Sequence, residues 1–179
     1  YLIIKDKINI SEKIMDKYDA AIKRRINKEP IAYIVGKKEF WSQNFVVDSS
    51  TLIPRPESEL LIYKVIKYFK NKSISILDIG TGSGCILLSI LKELNFSRGV
   101  GIDVSSKAIK IARLNSKKLK LFNRSSFKSV NINNFTHGKY DLIVSNPPYI
   151  SSSEIKNLSK DVVNYEPLIA LKGGIDGLD

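Results

Sequence analysis

The chain has 179 residues, of which 43% are hydrophobic and 26% charged, a composition typical of a globular protein that excludes a disordered one. Its length suits one domain, or one domain with a short appendage. No apolar run approaches the roughly 18 residues that a membrane span needs. The single cysteine, Cys85, excludes an internal disulfide framework and favours a reducing cytoplasm.

The net charge of +11 is high for this length and allows two interpretations. One is an acidic partner, such as nucleic acid or a protein associated with it. The other is a surface of solvated lysines without a dedicated partner. We favour the second because the basic residues are scattered along the chain and form no long run. Direct binding of nucleic acid is therefore the less favoured interpretation, although it stays open.

The first 28 residues predict one or two helices. Ser11 is followed by charged residues and suits the position just before a helix begins. The apolar residues of this segment recur at helical spacing: Ile8, Ile10, Ile14, Ala20 and Ala21.

Residues 40–47 predict a short β-hairpin, because aromatic and β-branched residues flank a polar segment, 42–44, that can turn the chain. Pro54 and Pro56 end this extended region. The stretch 57–70 predicts a helix with acidic residues at its start and lysines at its end, as the helix dipole favours. Its apolar residues have helical spacing: Leu60, Leu61, Val65, Ile66 and Phe69.

The remainder alternates between predicted strands and helices. The strands are 74–79, 99–104, 127–130 and 140–145, and the helices are 85–94 and 106–117. The last strand is the strongest candidate for a buried one, since three apolar residues follow one another in it. This alternation predicts an α/β fold with a parallel, doubly wound, Rossmann-like sheet.

A glycine-rich turn lies where the first of these strands ends and the next helix begins, which is where an open α/β sheet binds its ligand. It consists of Asp78, Ile79, Gly80, Thr81, Gly82, Ser83 and Gly84. The glycines allow close approach of the backbone, and N–H groups at the helix start favour an anionic group. The alternating glycines and the preceding acid differ from a dinucleotide fingerprint. They suit S-adenosylmethionine, whose positive end Asp78 can offset; an ordinary glycine-rich turn is the alternative.

Asp103 ends the second predicted strand of the sheet. A carboxylate at that position can accept hydrogen bonds from both hydroxyls of a ribose, as it does in nucleotide-binding Rossmann folds. It could also cap the helix that follows. The neighbouring glycine-rich turn favours the ribose interpretation.

The segment Asn146-Pro147-Pro148-Tyr149 directly follows the last predicted strand. The side-chain carbonyl of Asn146 and the backbone carbonyl of Pro147 can both accept hydrogen bonds from an –NH2 group. Pro148 fixes the backbone and Tyr149 can stack on a planar group. An amide or exocyclic amine nitrogen is a poor nucleophile, so its methylation depends on such positioning. A proline-rich turn without function is the alternative.

Two reactive side chains carry no function in this interpretation. Cys85 begins an apolar helix and is expected to pack rather than react. His137 has no nearby Cys or His cluster that would indicate a metal and no serine partner that would indicate a triad. We therefore predict no metal site.

From about Arg24 onward, the chain resembles the glutamine N-methyltransferases of bacterial peptide chain release factors, the PrmC/HemK family. The matching segments are Glu29–Gly36 with Glu39-Phe40, Leu52–Glu59, Val144–Ile150, Tyr165–Pro167 with Ala170-Leu171, and Gly173–Leu178. The resemblance implies S-adenosylmethionine as the methyl donor and the glutamine of a Gly-Gly-Gln loop as the acceptor. Carried over by position, residues 80–84 and Asp103 bind the cofactor, together with Asn146, and residues 146–149 hold the glutamine.

The resemblance also implies a division of the chain. Residues 1–35 would be the end of an N-terminal helical domain that recognises the substrate, 36–56 a β-hairpin linker, and 57–179 a class I methyltransferase domain truncated at its C-terminus. Only the first strands of the family's sheet would then be present, and the full-length protein would be a monomer. At the family's cofactor contact after the third strand, an acid and an aromatic residue are replaced by Val130 and Asn131.

Two other acceptors share this chemistry. A sister class of enzymes methylates a glutamine of a ribosomal protein, and the segment 54–57, Pro-Arg-Pro-Glu, favours the release-factor class over it. DNA methyltransferases that act on the amino group of adenine share the Asn-Pro-Pro-Tyr segment and flip their base out of the duplex. The match over residues 29–59 argues against that class. A fragment that binds the cofactor without turnover is the non-enzymatic alternative.

Overall fold

A computed structural model describes residues 10–178, so Ile8 of the predicted N-terminal helix lies outside the described residues. The prediction of one or two helices in the first 28 residues is confirmed by α1, Glu12–Ile26, and a short α2, Ile31–Val35, follows that segment. Ser11 precedes α1 in an extended conformation, as expected. Gly36 ends α2 with a φ of 73°, a left-handed conformation that glycine adopts without steric cost.

The predicted hairpin is present as β1, Lys37–Phe40, and β2, Gln43–Val46, but its turn lies one residue earlier than the polar segment 42–44. Trp41 and Ser42 form a two-residue turn with φ values of 48° and 54°. The turn predicted at 42–44 is therefore displaced by one residue, since Ser42 lies in it but Gln43 and Asn44 pair within β2. A two-residue turn with two positive φ values matches the twist of the flanking strands, and this requirement outweighs the polarity of the sequence.

Four parallel strands form the central sheet, in the order β5-β4-β3-β6. They are β3, Ser75–Ile79; β4, Arg98–Asp103; β5, Ser125–Ser129; and β6, Leu142–Ser145. The chain moves from β3 to β4 and β5 on one side and returns to the other side of β3 with β6. Such a reversal creates a crevice at the carboxyl ends of the strands. The predicted doubly wound α/β fold is thus confirmed.

Helices connect and cover these strands. They are α3, Glu59–Phe69; α4, Cys85–Glu93; α5, Ser106–Lys118; and α6, Lys160–Tyr165. Short 3-10 turns lie at Pro56–Ser58, Ile132–Asn134, Glu154–Asn157 and Leu168–Ala170. No helix within residues 10–178 combines the length and the hydropathy that crossing a bilayer requires.

The main core joins the hairpin to the sheet. Phe40 and Phe45 of the hairpin lie in the same buried cluster as Ile76 of β3 and Leu87 of α4. Asn115 of α5 is fully buried and strengthens this junction. Its side chain exchanges hydrogen bonds with the backbone of Val46 and donates another to the carbonyl of Ser83, so it links the hairpin to the glycine-rich turn.

Strand β6 differs from its prediction. It begins at Leu142 rather than Tyr140, and only Val144 among its residues is buried. Ile143 is 59% exposed, which contradicts the expectation of a strand buried on both faces. The physical reason is its position, because β6 is an edge strand among the described residues and pairs only with β3.

Candidate functional site

The glycine-rich turn connects β3 to α4 and has the conformation that its glycines allow. Gly80, Gly82 and Gly84 all have positive φ values, between 54° and 79°. At Gly84 a Cβ atom would also lie 3.2–3.3 Å from the side chains of Leu88, Ala112 and Phe127, so a larger residue would crowd these neighbours in addition to straining the backbone. The turn therefore places backbone atoms, rather than side chains, at the carboxyl end of β3.

Asp78 lies beneath this turn and not at its surface, since it is only 1% exposed. The hydroxyl of Thr81 donates a hydrogen bond to its Oδ2 at 2.7 Å, whereas Oδ1 has no partner among the described residues. Burial raises the pKa of the Asp78 carboxyl to about 7, although the Thr81 hydrogen bond opposes the shift. Asp78 thus supports the turn through Thr81 and leaves an unsatisfied oxygen below it.

Asp103 holds the turn from the end of the neighbouring strand. Its Oδ2 accepts a hydrogen bond from the N–H of Gly82 at 2.9 Å, and its Oδ1 accepts one from the N–H of Ser105 at 2.8 Å. A carboxylate can accept about four hydrogen bonds, so Asp103 can accept further hydrogen bonds from a bound ligand. The alternative that Asp103 caps α5 is wrong, because Ser105 occupies the cap position and accepts from the N–H of Ala108.

A cavity of about 570 Å3 lies at this end of the sheet. The predicted residues that line it are Gly80, Thr81, Gly82, Ser83, Asp103, Asn131, Asn146 and Pro148. Asp78 and Gly84 are not among its lining residues and contribute from beneath. The crevice expected from the sheet topology is therefore the largest cavity described here, and most of the predicted cofactor residues share its wall.

Pro147 and Tyr149 line a second, smaller cavity of about 110 Å3. Asn146 lies on the walls of both cavities, as do Leu52, Arg55 and Ala170. The Nδ2 of Asn146 points toward the hydroxyl of Ser58, at 3.4 Å. This orientation keeps the side-chain carbonyl of Asn146 for other partners. Of the predicted acceptor residues, Pro147 and Tyr149 thus line the smaller cavity, Pro148 lines the larger one, and Asn146 lines both.

The loop 146–149 is held by the glycine-rich segment 173–177. The N–H of Ile150 donates to the carbonyl of Leu171 at 3.0 Å, and the N–H of Gly173 donates back to the carbonyl of Ile150 at 2.9 Å. A Cβ at Gly173 would lie 2.7 Å from the carbonyl oxygen of Pro148, and one at Gly177 would lie 2.5 Å from that of Tyr149. Only glycines allow this segment to approach the loop so closely.

Sequence reasoning missed several residues of the larger cavity. Val104 and Ile132 are 48% and 43% exposed and line it close to Asp103 and Asn131. Asn131 uses its side-chain oxygen to accept from the N–H of Asn133, at 2.9 Å, and so fixes the start of the 3-10 turn. Exposed aliphatic residues beside the strand ends were the available signal, but a single sequence does not distinguish them from ordinary surface residues.

Sequence reasoning also assigned no role to Glu166, which is 5% exposed. Its carboxylate pairs with Arg55 at 2.7 Å and accepts a hydrogen bond from the N–H of Ile53 at 3.1 Å. Cys85 lines the larger cavity, and burial raises the pKa of its thiol to about 12, so it is held in the unreactive protonated form. Within residues 10–178, no His, Cys, Asp and Glu side chains cluster as metal ligands would.

Two family models match the chain. Residues 70–169 match a methyltransferase domain, and residues 1–36 match the PrmC N-terminal domain. The first match covers more than half of the chain and includes the glycine-rich turn, Asp103 and the segment 146–149.

Curated relatives carry a consistent description. A release factor glutamine methyltransferase of Buchnera aphidicola subsp. Schizaphis graminum is 45% identical over 179 residues, covering 99% of this chain and 64% of that protein. One from Bradyrhizobium diazoefficiens is 44% identical over 160 residues, covering 87% and 54%. A bifunctional methyltransferase of Rickettsia prowazekii is 39% identical and covers 100% and 38%. The chain thus spans less than two thirds of the length of these relatives.

Among solved structures, an RNA methyltransferase from Salinibacter ruber in complex with S-adenosyl-L-homocysteine has a TM-score of 0.46 at 18% identity. The alignment covers 64% of this chain and 72% of that one.

Proposed function

Because this chain belongs to the methyltransferase domain family, we propose that it transfers a methyl group from S-adenosylmethionine to the glutamine side-chain nitrogen in the Gly-Gly-Gln motif of peptide chain release factors. The observation that carries the proposal is the meeting of two cavities at Asn146. One has the size and polar groups for the methyl donor, and the other is lined by the predicted acceptor loop. The names of the curated relatives support the same acceptor.

The larger cavity suits S-adenosylmethionine in volume and in donor set. Its 570 Å3 lies within the roughly 300–1,000 Å3 typical of small-molecule sites. Asp103 would accept hydrogen bonds from the ribose hydroxyls, and the backbone of the turn 80–84 would face the methionine part. Asp78, whose pKa burial raises to about 7, would be favoured in its charged form beneath the cationic end once the cofactor is bound. When bound, the cofactor supplies a methyl group activated by its sulfonium.

The adenine side of the cofactor would meet aliphatic rather than aromatic residues. Val104 and Ile132 are large, exposed aliphatic residues that line the cavity close in sequence to Asp103 and Asn131. Burying them against a planar ring would remove apolar surface from water, which is favourable at about 25 cal/mol per Å2. This contact would compensate for the departure of Val130 and Asn131 from the family pattern.

The smaller cavity would hold the acceptor amide. The free carbonyl of Asn146 and the backbone carbonyl of Pro147 would accept the two hydrogens of its –NH2 group, and Tyr149, which is 67% exposed, would cover its planar face. Pro148 would keep the loop rigid. Among residues 10–178, no carboxylate or histidine lines this cavity, so these residues would act by orienting the nitrogen rather than as a general base.

The domain boundaries remain part of the proposal. Residues 1–35 would contribute to recognition of the release factor, and 57–179 would form the domain that transfers the methyl group. Residues 36–56 would connect these two parts. The protein partner would be the release factor, and the two would meet in the cytoplasm. The full-length methyltransferase would act as a monomer.

Transfer of a radiolabelled methyl group from S-adenosylmethionine tests the proposal against its alternatives. The acceptors are a purified release factor, the same factor with the Gly-Gly-Gln glutamine replaced by alanine, a ribosomal protein mixture and duplex DNA. We expect label only on the unaltered release factor. Label on ribosomal protein or on DNA instead would replace the proposed acceptor, and cofactor binding without any transfer would support the non-enzymatic alternative.

A further inference from the structure

Glu166 is a buried carboxylate that the proposed chemistry does not use. Its side chain is 1% exposed, yet both of its oxygens have partners. Oε1 accepts from the guanidinium of Arg55 at 2.7 Å and Oε2 accepts from the backbone N–H of Ile53 at 3.1 Å. Burying a carboxylate is costly unless it is paired, so this arrangement commits Glu166 to one position.

The two partners of Glu166 belong to a different chain segment that also lines the site. Residues 50–55 line the larger cavity, and Leu52 and Arg55 also line the smaller one. On the side of Glu166, Ala170 lines both cavities and Leu171 lines the smaller one. The Arg55–Glu166 ion pair therefore joins two chain segments that together enclose the junction where Asn146 lies.

Stability alone is a weak reason for this ion pair. Well-packed apolar residues stabilise a buried site as well as an ion pair does, or better. An arginine pair instead fixes geometry, because the guanidinium is planar and its donors form a rigid fork. One N–H of Arg55 bonds Glu166, and the side chain is 34% exposed, which leaves donors of Arg55 accessible at the wall shared by the cavities.

We propose that Glu166 is a positioning residue for the acceptor. It holds Arg55 and the segment 51–55 so that the smaller cavity keeps the width and depth that present an amide nitrogen to the larger one. This inference rests on the proposed function and adds a residue to its acceptor side. The polar groups proposed to bind the cofactor do not depend on the ion pair, since Asp103 and the turn 80–84 are held by contacts of their own.

Steady-state methyl transfer to a release factor, with cofactor binding measured separately by calorimetry, tests the proposal on the full chain. Glu166→Gln keeps an acceptor for the N–H of Ile53 but removes the ion pair. We expect kcat/KM for the release factor to fall about tenfold to a hundredfold, since displacement of a reacting group by about 1 Å can cost 10²-fold. The dissociation constant of the cofactor should stay within about threefold of that of the unsubstituted protein, which we take as the criterion for an intact cofactor site.

Arg55→Lys provides a second variant should Glu166→Gln fold poorly, because it keeps the charge and loses the fork. It should show the same selective loss for the acceptor. The double variant Arg55→Lys/Glu166→Gln should have about the same kcat/KM for the release factor as the less active of the two single variants, since the effects of residues that act as a unit are not additive.

Glu93→Gln is the matched control. Glu93 also accepts a hydrogen bond across the fold, from the indole N–H of Trp41 at 2.9 Å, but it lines neither cavity. Its transfer rate should be unchanged. Glu166→Gln at the unsubstituted rate overturns the inference, and so does a proportional loss of cofactor affinity and transfer, which would indicate a general structural role. If the unsubstituted chain does not methylate the release factor, the proposed function fails before this inference is reached.

Discussion

The two cavities that meet at Asn146 are built in different ways. The larger one is supported by contacts between residues close in sequence: Thr81 and Asp78 are three residues apart, and Gly82 and Asp103 are 21 apart. The smaller one depends on distant contacts, since Glu166 lies 111 residues from Arg55. The first is placed by the ends of parallel strands, and the second by loops tied to one another.

This difference indicates how the two sides should respond to substitution. The turn 80–84 has a rigid frame of strand ends and a buried acid, so single changes there should alter cofactor affinity or stability. The loop 146–149 is held mainly by backbone contacts with the segment 171–177, so a change of side chain should alter the chemistry and leave the fold intact. Four substitutions test this contrast.

Asn146→Ala should have the largest effect and should act on the acceptor side alone. Loss of one preorganised hydrogen-bond partner at a reacting centre typically lowers the rate by about 10²–10³. Cofactor affinity should be nearly unchanged because Asp103 and the turn remain. Single-turnover transfer and calorimetry measure the two effects, with Asn44→Ala, an exposed strand residue, as the control. Equal losses of rate and cofactor affinity would show that Asn146 serves both cavities alike.

Asp103→Ala should reverse that pattern and weaken binding of the cofactor. Hydrogen bonds to a charged group contribute about 1.5–3 kcal/mol, so affinity should fall about tenfold or more. The substitution also frees the N–H groups of Gly82 and Ser105, which loosens the turn. Asp103→Asn keeps one carbonyl acceptor and should have an intermediate effect. An unchanged dissociation constant for Asp103→Ala would remove this residue from the cofactor site.

Gly101→Ala tests the rigidity of the frame beneath the turn. A Cβ at this position would lie 2.7 Å from both the ring of Phe127 and the hydroxyl of Thr81. Overpacking of this kind costs about 1–3 kcal/mol of the free energy of unfolding. Urea denaturation measures the loss. Unchanged stability would show that the strand ends around Gly101 can shift to accommodate a methyl group, and that this part of the site is not rigid.

Asp78 should give an effect of a different kind, visible as a dependence of stability on pH. Its folded-state pKa is raised to about 7 by burial, above the ordinary aspartate value of 3.8. Between pH 3.8 and about pH 7 the folded state binds more protons than the unfolded state. The free energy of unfolding should therefore fall as the pH rises toward 7 and then level off. Asp78→Asn should abolish this slope. Parallel pH profiles for the two proteins, measured by urea denaturation from pH 4 to 8, would contradict it.

Sequence reasoning located the larger cavity well because its signals are local. A strand, alternating glycines and an acid at the end of the next strand lie within 26 positions, Asp78 to Asp103, and the structure brings them together. The hairpin turn was displaced by one residue because Trp41 and Ser42 carry no signal for positive φ. Glu166 was missed for a different reason. Nothing in one sequence indicates that two charges more than a hundred residues apart will pair.

The long separation between Arg55 and Glu166 also sets an order of assembly. A ribosome adds about 5–20 residues per second, and domains begin to fold before synthesis is complete. The strands, the turn 80–84 and Asp103 are all made before Glu166, so the frame of the larger cavity can form on an unfinished chain. The wall of the smaller cavity closes only when Glu166 reaches Ile53 and Arg55. On a nascent chain the turn 80–84 and Asp103, the polar groups proposed to bind the methyl donor, would therefore be in place before the wall of the acceptor cavity.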